Sequence, residues 1–209
     1  MARSLPVTGT APDGRRMVHA ETRTQWRAWL VAHHSEPDGA WLVSWKKATG
    51  KPAVGYAAAV EEALCVGWVD SKPQRLDDER GLLWFAPRAV RSAWSRPNKE
   101  RVERLTAAGL MLPAGLAAVD AAKAHGSWTM LDQVEDGVEP DDLRAALDAD
   151  PLARASWDAF PRSARRGILE WIAQAKRAET RATRVATTVS EAHDGRRANQ
   201  WRPRDTGPA

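Results

Sequence analysis

The residues best suited to chemistry in this chain lie between positions 56 and 102. Asp70 follows an apolar, β-branched run and precedes Lys72, so its carboxylate would be partly desolvated at the end of a strand. Such a group can act as a general acid or base, or it can orient a ligand. It can equally make turn hydrogen bonds or a salt bridge. The alternation of side chains along a strand predicts that Trp68, Asp70 and Lys72 share one face.

A second group of polar residues surrounds the predicted start of a helix near residue 95. Trp94, Asn98 and Lys99 lie there, and Arg88 follows the strand before it. Free N–H groups at a helix start favour anions, which indicates a site for an anionic or polar ligand. Capping of the helix explains Ser95 equally well. The predicted ligand-binding residues are therefore Trp68, Asp70, Lys72, Arg88, Trp94, Asn98 and Lys99.

The remaining reactive residue types form no catalytic or metal-binding pattern. Cys65 is the single cysteine and ends a predicted helix, where the dipole disfavours a thiolate, so we expect a buried structural thiol. Glu61 and Glu62 diverge on the same helix and are not a ready carboxylate pair. Gly-rich phosphate loops, GxSxG and HExxH motifs are missing from the sequence. The sequence therefore assigns no catalytic residue, metal or cofactor, and it leaves open whether the protein is an enzyme.

Tryptophan is the most over-represented residue type, with 11 in 209 residues against two Phe and one Tyr. Seven of the tryptophans fall between positions 26 and 94. An indole combines a large apolar body with one N–H donor, so the group can build a core or line a cleft. Both interpretations stay open for the early tryptophans, because so many N–H groups are difficult to satisfy in one small core.

Hydrophobic periodicity predicts the elements that position these residues. Apolar residues at helical spacing predict helices over residues 21–32 and 56–66, and alternation predicts strands over 40–47, 66–72 and 82–86. Further helices are predicted from residue 96, over 113–126, around 143–147, from 151, over 161–177 and over 180–192. The acidic stretch 132–141 is predicted to be a connection. The fold class is therefore α+β, a small and mostly antiparallel sheet with packed helices, followed by a C-terminal helical unit.

Four regions follow from this pattern. Residues 1–20 are predicted to be a flexible lead-in, and residues 21–130 a Trp-rich α+β core domain. Residues 131–192 form the predicted C-terminal helical unit, and residues 193–209 a flexible tail that Trp201 anchors.

Composition limits the cellular setting and the partners. One cysteine excludes an internal disulfide, and no apolar run reaches the ~20 residues of a membrane span, so we expect a soluble, cytoplasmic protein without a membrane partner. The net charge of +4 is uneven, because residues 135–150 are acidic and the chain from Arg162 onward is rich in arginine. This asymmetry either attracts anionic partners or marks a solvated face.

Several long motifs resemble one bacterial family. They are YAAAVEEALCVGWVDSK (residues 56–72), FAPRAVRSAWSRPNKERVERL (85–105), GLMLPAGLAAVDAAKAHGSW (109–128) and WIAQAKRAETRATRV (171–185). Together they are similar to the YdeI/OmpD-associated family, also labelled bacteriocin-protection proteins, over roughly residues 22–192. The resemblance implies a cytoplasmic α+β protein associated with protection against antimicrobial peptides. It implies no catalytic residue set.

Three functions are compatible with these observations. The first is a non-enzymatic module that binds a small polar or anionic molecule, or a peptide, in a Trp-lined cleft. The second is a hydrolase or transferase that uses Asp70 as a general acid or base. The third, ranked last, is nucleic-acid binding through the basic C-terminal helices, since the tryptophans and the arginines occupy different parts of the chain. The sequence assigns no oligomeric state.

Overall fold

The computed structural model describes residues 7–200. The chain divides into two compact units, one that ends at Trp128 and one that begins at Thr129. The first unit contains a five-stranded sheet and helices, and the second is helical. The predicted α+β class, with a C-terminal helical part, is confirmed.

The sheet of the first unit has the strand order β1-β2-β3-β5-β4. Only the β2–β3 pair is parallel, and the other three pairs are antiparallel, as the sequence predicts. The strands are β1 (Val7–Thr10), β2 (Arg16–His19), β3 (Ala40–Trp45), β4 (Trp68–Arg75) and β5 (Arg80–Pro87).

The prediction of a flexible lead-in over residues 1–20 is wrong for residues 7–20. They form the hairpin β1–β2, whose turn contains Gly14 at a φ of 79°. Val18 and Ala20 are fully buried. The stabilising partner of this segment is β3, which lies more than 20 residues later in the chain. Because that pairing is not local, the short and irregular sequence of the lead-in does not display it.

Helices cover one face of the sheet. They are α1 (Arg23–His33), α2 (Tyr56–Cys65), α3 (Arg96–Ala107) and α4 (Pro113–His125). Thr22 caps α1 through a reciprocal capping box with Gln25. Gly126, at a φ of 85°, ends α4 where the sequence predicts an end.

Tryptophans form much of the core between these helices and the sheet. Trp26 and Trp29 stack in parallel with ring centroids 5.4 Å apart, and Trp68 meets Trp29 edge to face. Backbone carbonyl groups satisfy two of the buried indoles, because Trp26 Nε1 donates to Ala59 O and Trp68 Nε1 to His34 O, each at 3.1 Å. The core interpretation therefore holds for these tryptophans.

The other face of the sheet has a smaller apolar cluster. Trp41, Val43 and Leu82 are buried there, with Trp84 packed edge to face on Trp41. Trp41 Nε1 donates to Asp13 Oδ2 at 3.0 Å, which fastens the β1–β2 turn over this face.

The second unit consists of five helices within the described residues. They are α5 (Asp132–Asp136), α6 (Asp141–Asp148), α7 (Pro151–Ala159), α8 (Arg162–Ala173) and α9 (Ala178–His193). The last helix contacts α6, α7 and α8. The buried side chains of this unit include Leu143, Leu147, Trp157, Ile168, Ile172 and Val185. None of the helices in residues 7–200 has the length and apolar character needed to cross a bilayer.

Three local predictions need correction or comment. The acidic stretch 132–141 is not only a connection, because α5 occupies its first half and buries Val134. Ser95 is the N-cap residue of α3, but its hydroxyl caps nothing, and its carbonyl accepts from the N–H groups of Asn98 and Lys99 instead. Trp201, the predicted anchor of the tail, lies outside the described residues.

Candidate functional site

The first unit contains a candidate site, a cleft of about 880 Å³. Its floor is the helix-facing side of the sheet, where Leu42 and Leu83 are the apolar side chains. Val54 and Ala59 line it from the segment 46–55 and from α2. Since α2 begins only at Tyr56, the segment 46–55, which includes a short 3-10 helix (Lys47–Thr49), borders the cleft before it.

Small residues keep the cleft open at its sheet side. Gly81 pairs with Ser44 across β5 and β3 and lines the cleft. A Cβ atom placed on Gly81 would meet only the carbonyl oxygen of Gln74, at 3.7 Å, which is an ordinary contact. A larger side chain at this position would therefore enter the cleft without a backbone clash.

Asp70 and Tyr56 form the polar pair at one end of the cleft. The Tyr56 hydroxyl donates to Asp70 Oδ2 at 2.9 Å. Burial, together with this hydrogen bond, raises the pKa of Tyr56, so its phenol remains a donor at neutral pH. Asp70 thus lies on the rim as an acceptor whose second oxygen has no hydrogen-bond partner among the described residues.

Three lysines lie at the opposite end. Lys46 Nζ donates to the carbonyl oxygens of Asp77 and Asp78, at 2.9 Å each. Lys51 Nζ pairs with Glu79 at 2.9 Å and lies 4.1 Å from the ring centroid of Trp45. The third lysine has no such contact.

Lys47, the third lysine of this end, is exposed and has no ion-pair or hydrogen-bond partner among the described side chains. The lysines follow Trp45, which is the last residue of β3. Asp70 pairs with Phe85, and Phe85 pairs with Ala40, so Asp70 lies level with the first residue of β3. Five residues at a strand rise of about 3.3 Å separate the two ends by about 16 Å.

The structure does not gather the predicted site residues around one cleft. Of the seven, Asp70 alone is among the described residues that line it. Trp68 and Trp94 are each 1% exposed and belong to the core. The expectation of a Trp-lined cleft also needs correction, because Trp45 is the sole tryptophan among the described lining residues.

Lys72 does not share a face with Asp70, contrary to the sequence prediction. The register of β4 against β5 shifts between Asp70 and Pro73, so one extra residue interrupts the alternation. Lys72 Nζ consequently lies 5.7 Å from the ring centroid of Trp41, in the other apolar cluster of the sheet.

Arg88, Asn98 and Lys99 make local contacts. Arg88 lies over the Trp94 ring at 3.9 Å, and its Nη1 donates to Ser92 Oγ at 3.1 Å and Ala93 O at 3.0 Å. Burial lowers the pKa of Arg88 to about 10, and the Asp70 carboxylate acts in the opposite direction. Asn98 Oδ1 accepts from Arg101, and Lys99 Nζ lies 5.7 Å from the Trp128 ring. We therefore assign Arg88 to fixing the loop after β5.

Sequence reasoning missed the residues that form the lysine end of the cleft. Lys46, Lys47 and Lys51 are visible in the sequence as a cationic turn directly after a tryptophan-containing strand. What the sequence does not show is that β4 and β5 extend the floor beside this turn. Gly81 becomes informative only once it is known to oppose Ser44.

The three titratable side chains near the end of α2 serve structure. Burial raises the pKa of the Cys65 thiol, as expected for a structural cysteine. Glu61 pairs with Arg23 and Arg104, and Glu62 with Arg23 and Arg27. Within residues 7–200 no group of three or more His, Cys, Asp or Glu side chains is placed to hold a metal ion.

Two family models match separate parts of the chain. Residues 18–118 match a domain family of unknown function. Residues 137–195 match a family described as bacteriocin-protection, YdeI or OmpD-associated. No curated protein and no solved structure matches the chain.

The second match confirms the resemblance inferred from the sequence, over a shorter stretch than residues 22–192. Of the motifs that carry the resemblance, only residues 171–185 lie inside the matched segment. The C-terminal part of this chain is therefore similar to the bacteriocin-protection, YdeI or OmpD-associated family.

Proposed function

We propose that the first unit is a non-enzymatic module that binds a small, largely apolar molecule with an anionic group. The cleft carries this proposal, because its volume of about 880 Å³ and its apolar floor suit a small-molecule site. None of the serines and lysines among the described lining residues is hydrogen-bonded to Asp70, so no serine or lysine is paired there with a carboxylate base.

The charges at the two ends favour one orientation of the ligand. The anionic group is placed at the lysine end, where Lys47 is exposed and unpaired and Lys51 lies beside Trp45. A hydroxyl or amine of the ligand is placed at the other end, where it donates to Asp70. An anion at that end would be repelled by the carboxylate.

The match of the C-terminal part to a bacteriocin-protection family suggests the class of compound. Antimicrobial molecules with an apolar body and an acidic group fit the cleft best, and binding would lower their free concentration. We place this activity in the cytoplasm, since the single cysteine is a buried free thiol and needs no oxidising compartment.

Nucleic-acid binding through the C-terminal helices is ranked lower for a specific reason. Five of the ten arginines described in that unit form ion pairs with carboxylates, which leaves fewer charges for phosphate groups. The paired residues are Arg144, Arg154, Arg166, Arg181 and Arg196.

Two fluorescent probes with the same ring system test the proposal. One is 1-anilinonaphthalene-8-sulfonate, which carries an anionic group, and the other is neutral N-phenyl-1-naphthylamine. We expect both to bind the folded protein and the sulfonate to bind more tightly. Lys47→Gln combined with Lys51→Gln should remove that difference, a loss of about tenfold for the sulfonate, and leave the neutral probe unchanged.

A variant whose new side chain fills the cleft provides a second test of the proposal. Gly81→Leu should abolish binding of both probes while the circular dichroism spectrum stays unchanged. Gly167→Leu is the matched control, because Gly167 lies on α8 and a Cβ atom added there would have no other atom within 4 Å. Equal binding by Gly81→Leu and the unaltered protein would refute the proposed site.

A further inference from the structure

The second unit contains a hollow of its own, with a volume of about 420 Å³. The C-terminal end of α5 and the first two turns of α8 line it. Val134, Trp157 and Leu169 are the apolar residues of its lining, and each is almost fully buried. The hollow is too small for a peptide and large enough for a single ring with a substituent.

Two of the three acidic residues in the lining, Glu135 and Glu139, are bound by arginines. Arg166 donates to both oxygens of Glu135, at 2.7 and 3.1 Å. Arg154 donates to both oxygens of Glu139, at 2.8 Å each, and Trp157 Nε1 adds a third hydrogen bond at 2.7 Å. These carboxylates therefore have little capacity left for a cationic ligand.

Two arginines of the lining have no carboxylate partner within residues 7–200. Arg162 donates only to the backbone carbonyl of Glu135, at 3.3 Å. Arg165 is half-buried and makes no ion pair among the described residues. Arg154 binds Asp158 and lowers its pKa, and the charge of Arg165 lowers that pKa further without a direct ion pair. Asp136 also lines the hollow, so the lining has no net positive charge, but carboxylates do not bind the guanidinium groups of Arg162 and Arg165 among the described residues.

We infer that this hollow is a binding site for a small organic oxyanion, with Arg162 and Arg165 holding the anionic group over an apolar base. The ligand class is a single-ring carboxylate or phosphate monoester. A guanidinium offers several N–H donors in a plane, so it suits both kinds of oxyanion. The apolar residues beneath should favour such a compound over an inorganic anion of the same charge.

The inference is independent of the cleft in the first unit and is tested separately from it. Phenyl phosphate is titrated into protein that carries Gly81→Leu, which fills that cleft, and binding is followed by ¹H–¹⁵N NMR. We expect the indole N–H signal of Trp157 to shift with saturation. Inorganic phosphate and neutral benzyl alcohol should each bind at least about tenfold more weakly. Benzoate in place of phenyl phosphate shows which oxyanion the site prefers.

Two charge-matched variants locate the site. Arg165→Gln should weaken phenyl phosphate binding about tenfold. Arg177→Gln should leave it unchanged, because Arg177 is exposed, precedes α9 and has no ion pair with a described side chain. Arg162→Gln, at an exposed side chain, serves if the first variant does not fold. Equal losses in the Arg165 and Arg177 variants, or binding of phenyl phosphate no tighter than that of inorganic phosphate, would overturn the inference.

Discussion

Glu62 shows how the first unit accommodates a charge in its interior. Its side chain is 3% exposed and accepts from Arg23 at 2.5 Å and Arg27 at 2.6 Å. A buried carboxylate is costly to desolvate, and two arginines with hydrogen bonds offset that cost. Because α1 supplies both arginines and α2 the glutamate, the group also fixes the register of the two helices.

Removal of this single charge should be destabilising. We expect Glu62→Gln to lower the free energy of unfolding by about 1–3 kcal/mol, since two partly exposed arginines lose hydrogen bonds to a buried carboxylate and Arg23 keeps its pair with Glu61. Urea denaturation followed by circular dichroism measures the change. Asp141→Asn is the control, because Asp141 is 97% exposed in its pair with Arg144 and should change stability by less than about 1 kcal/mol.

Asp70 and Lys72 illustrate what sequence reasoning can predict for single residues. The apolar run before Asp70 correctly indicates a strand, but β4 begins at Trp68 and continues to Arg75, so Asp70 does not lie at the end of the strand as predicted. The same alternation wrongly places Lys72 beside it, because the register shift in β4 adds a residue that the pattern does not reveal. The sequence places Lys46 and Lys47 at the end of the predicted strand 40–47 and Lys51 in the turn after it, so their common location at the cleft depends on tertiary structure.

At the scale of elements, the contact between α2 and α4 depends on one glycine. The chain enters α4 through a hydrogen bond from Leu112 N to Cys65 O at 2.9 Å. A Cβ atom on Gly115 would lie 2.4 Å from that same carbonyl oxygen. The two helices therefore approach more closely than any other residue at this position would allow.

Alanine at two helical glycines should have opposite effects. Gly115→Ala should lower the free energy of unfolding by about 1–3 kcal/mol, because α4 must move away from the end of α2. Gly167→Ala should raise it by about 0.5–1 kcal/mol, because an open position on α8 gains helix propensity. Urea unfolding of both variants decides the matter, and a neutral Gly115→Ala would contradict the packing described for α4.

Most helices were predictable from sequence because their apolar stripes repeat over several turns. The start of α7 and the end of α4 were also visible, through Asp150 with Pro151 and through Gly126. The strand β2 was not, since four residues hold too short a pattern and its partner is distant. Helix α5 was hidden by its acidic composition, which is typical of a connection.

At the scale of the whole molecule, a low pH should lower the stability of both units. Hydrogen bonds from Arg154, together with that from Trp157, lower the pKa of Glu139 against the effect of burial. The folded protein also lowers the pKa of Asp13, Glu36, Glu61, Asp77, Asp142, Asp150 and Asp158. Burial lowers the pKa of His19 in the first unit.

The sign of the pH dependence follows from proton uptake. Groups with a lowered pKa bind protons more readily when the chain is unfolded, so their contribution to stability is lost as pH falls through the folded pKa. We expect the urea midpoint to fall first below about pH 6.5, because of His19, and more steeply below about pH 4, because of the carboxylates. His19→Gln should reduce the fall of the urea midpoint that begins below about pH 6.5. Glu139→Gln should reduce the steeper fall below about pH 4. A midpoint that rises on acidification would contradict this assignment.

The edge of the sheet has a consequence for how the protein behaves at high concentration. A regular outer strand exposes a row of backbone N–H and C=O groups that can recruit a strand from another molecule. One outer strand is β4, whose register shift interrupts that row, and Pro73 has no N–H to donate. Strand β4 is therefore a poor template for aggregation, and its irregular geometry protects solubility.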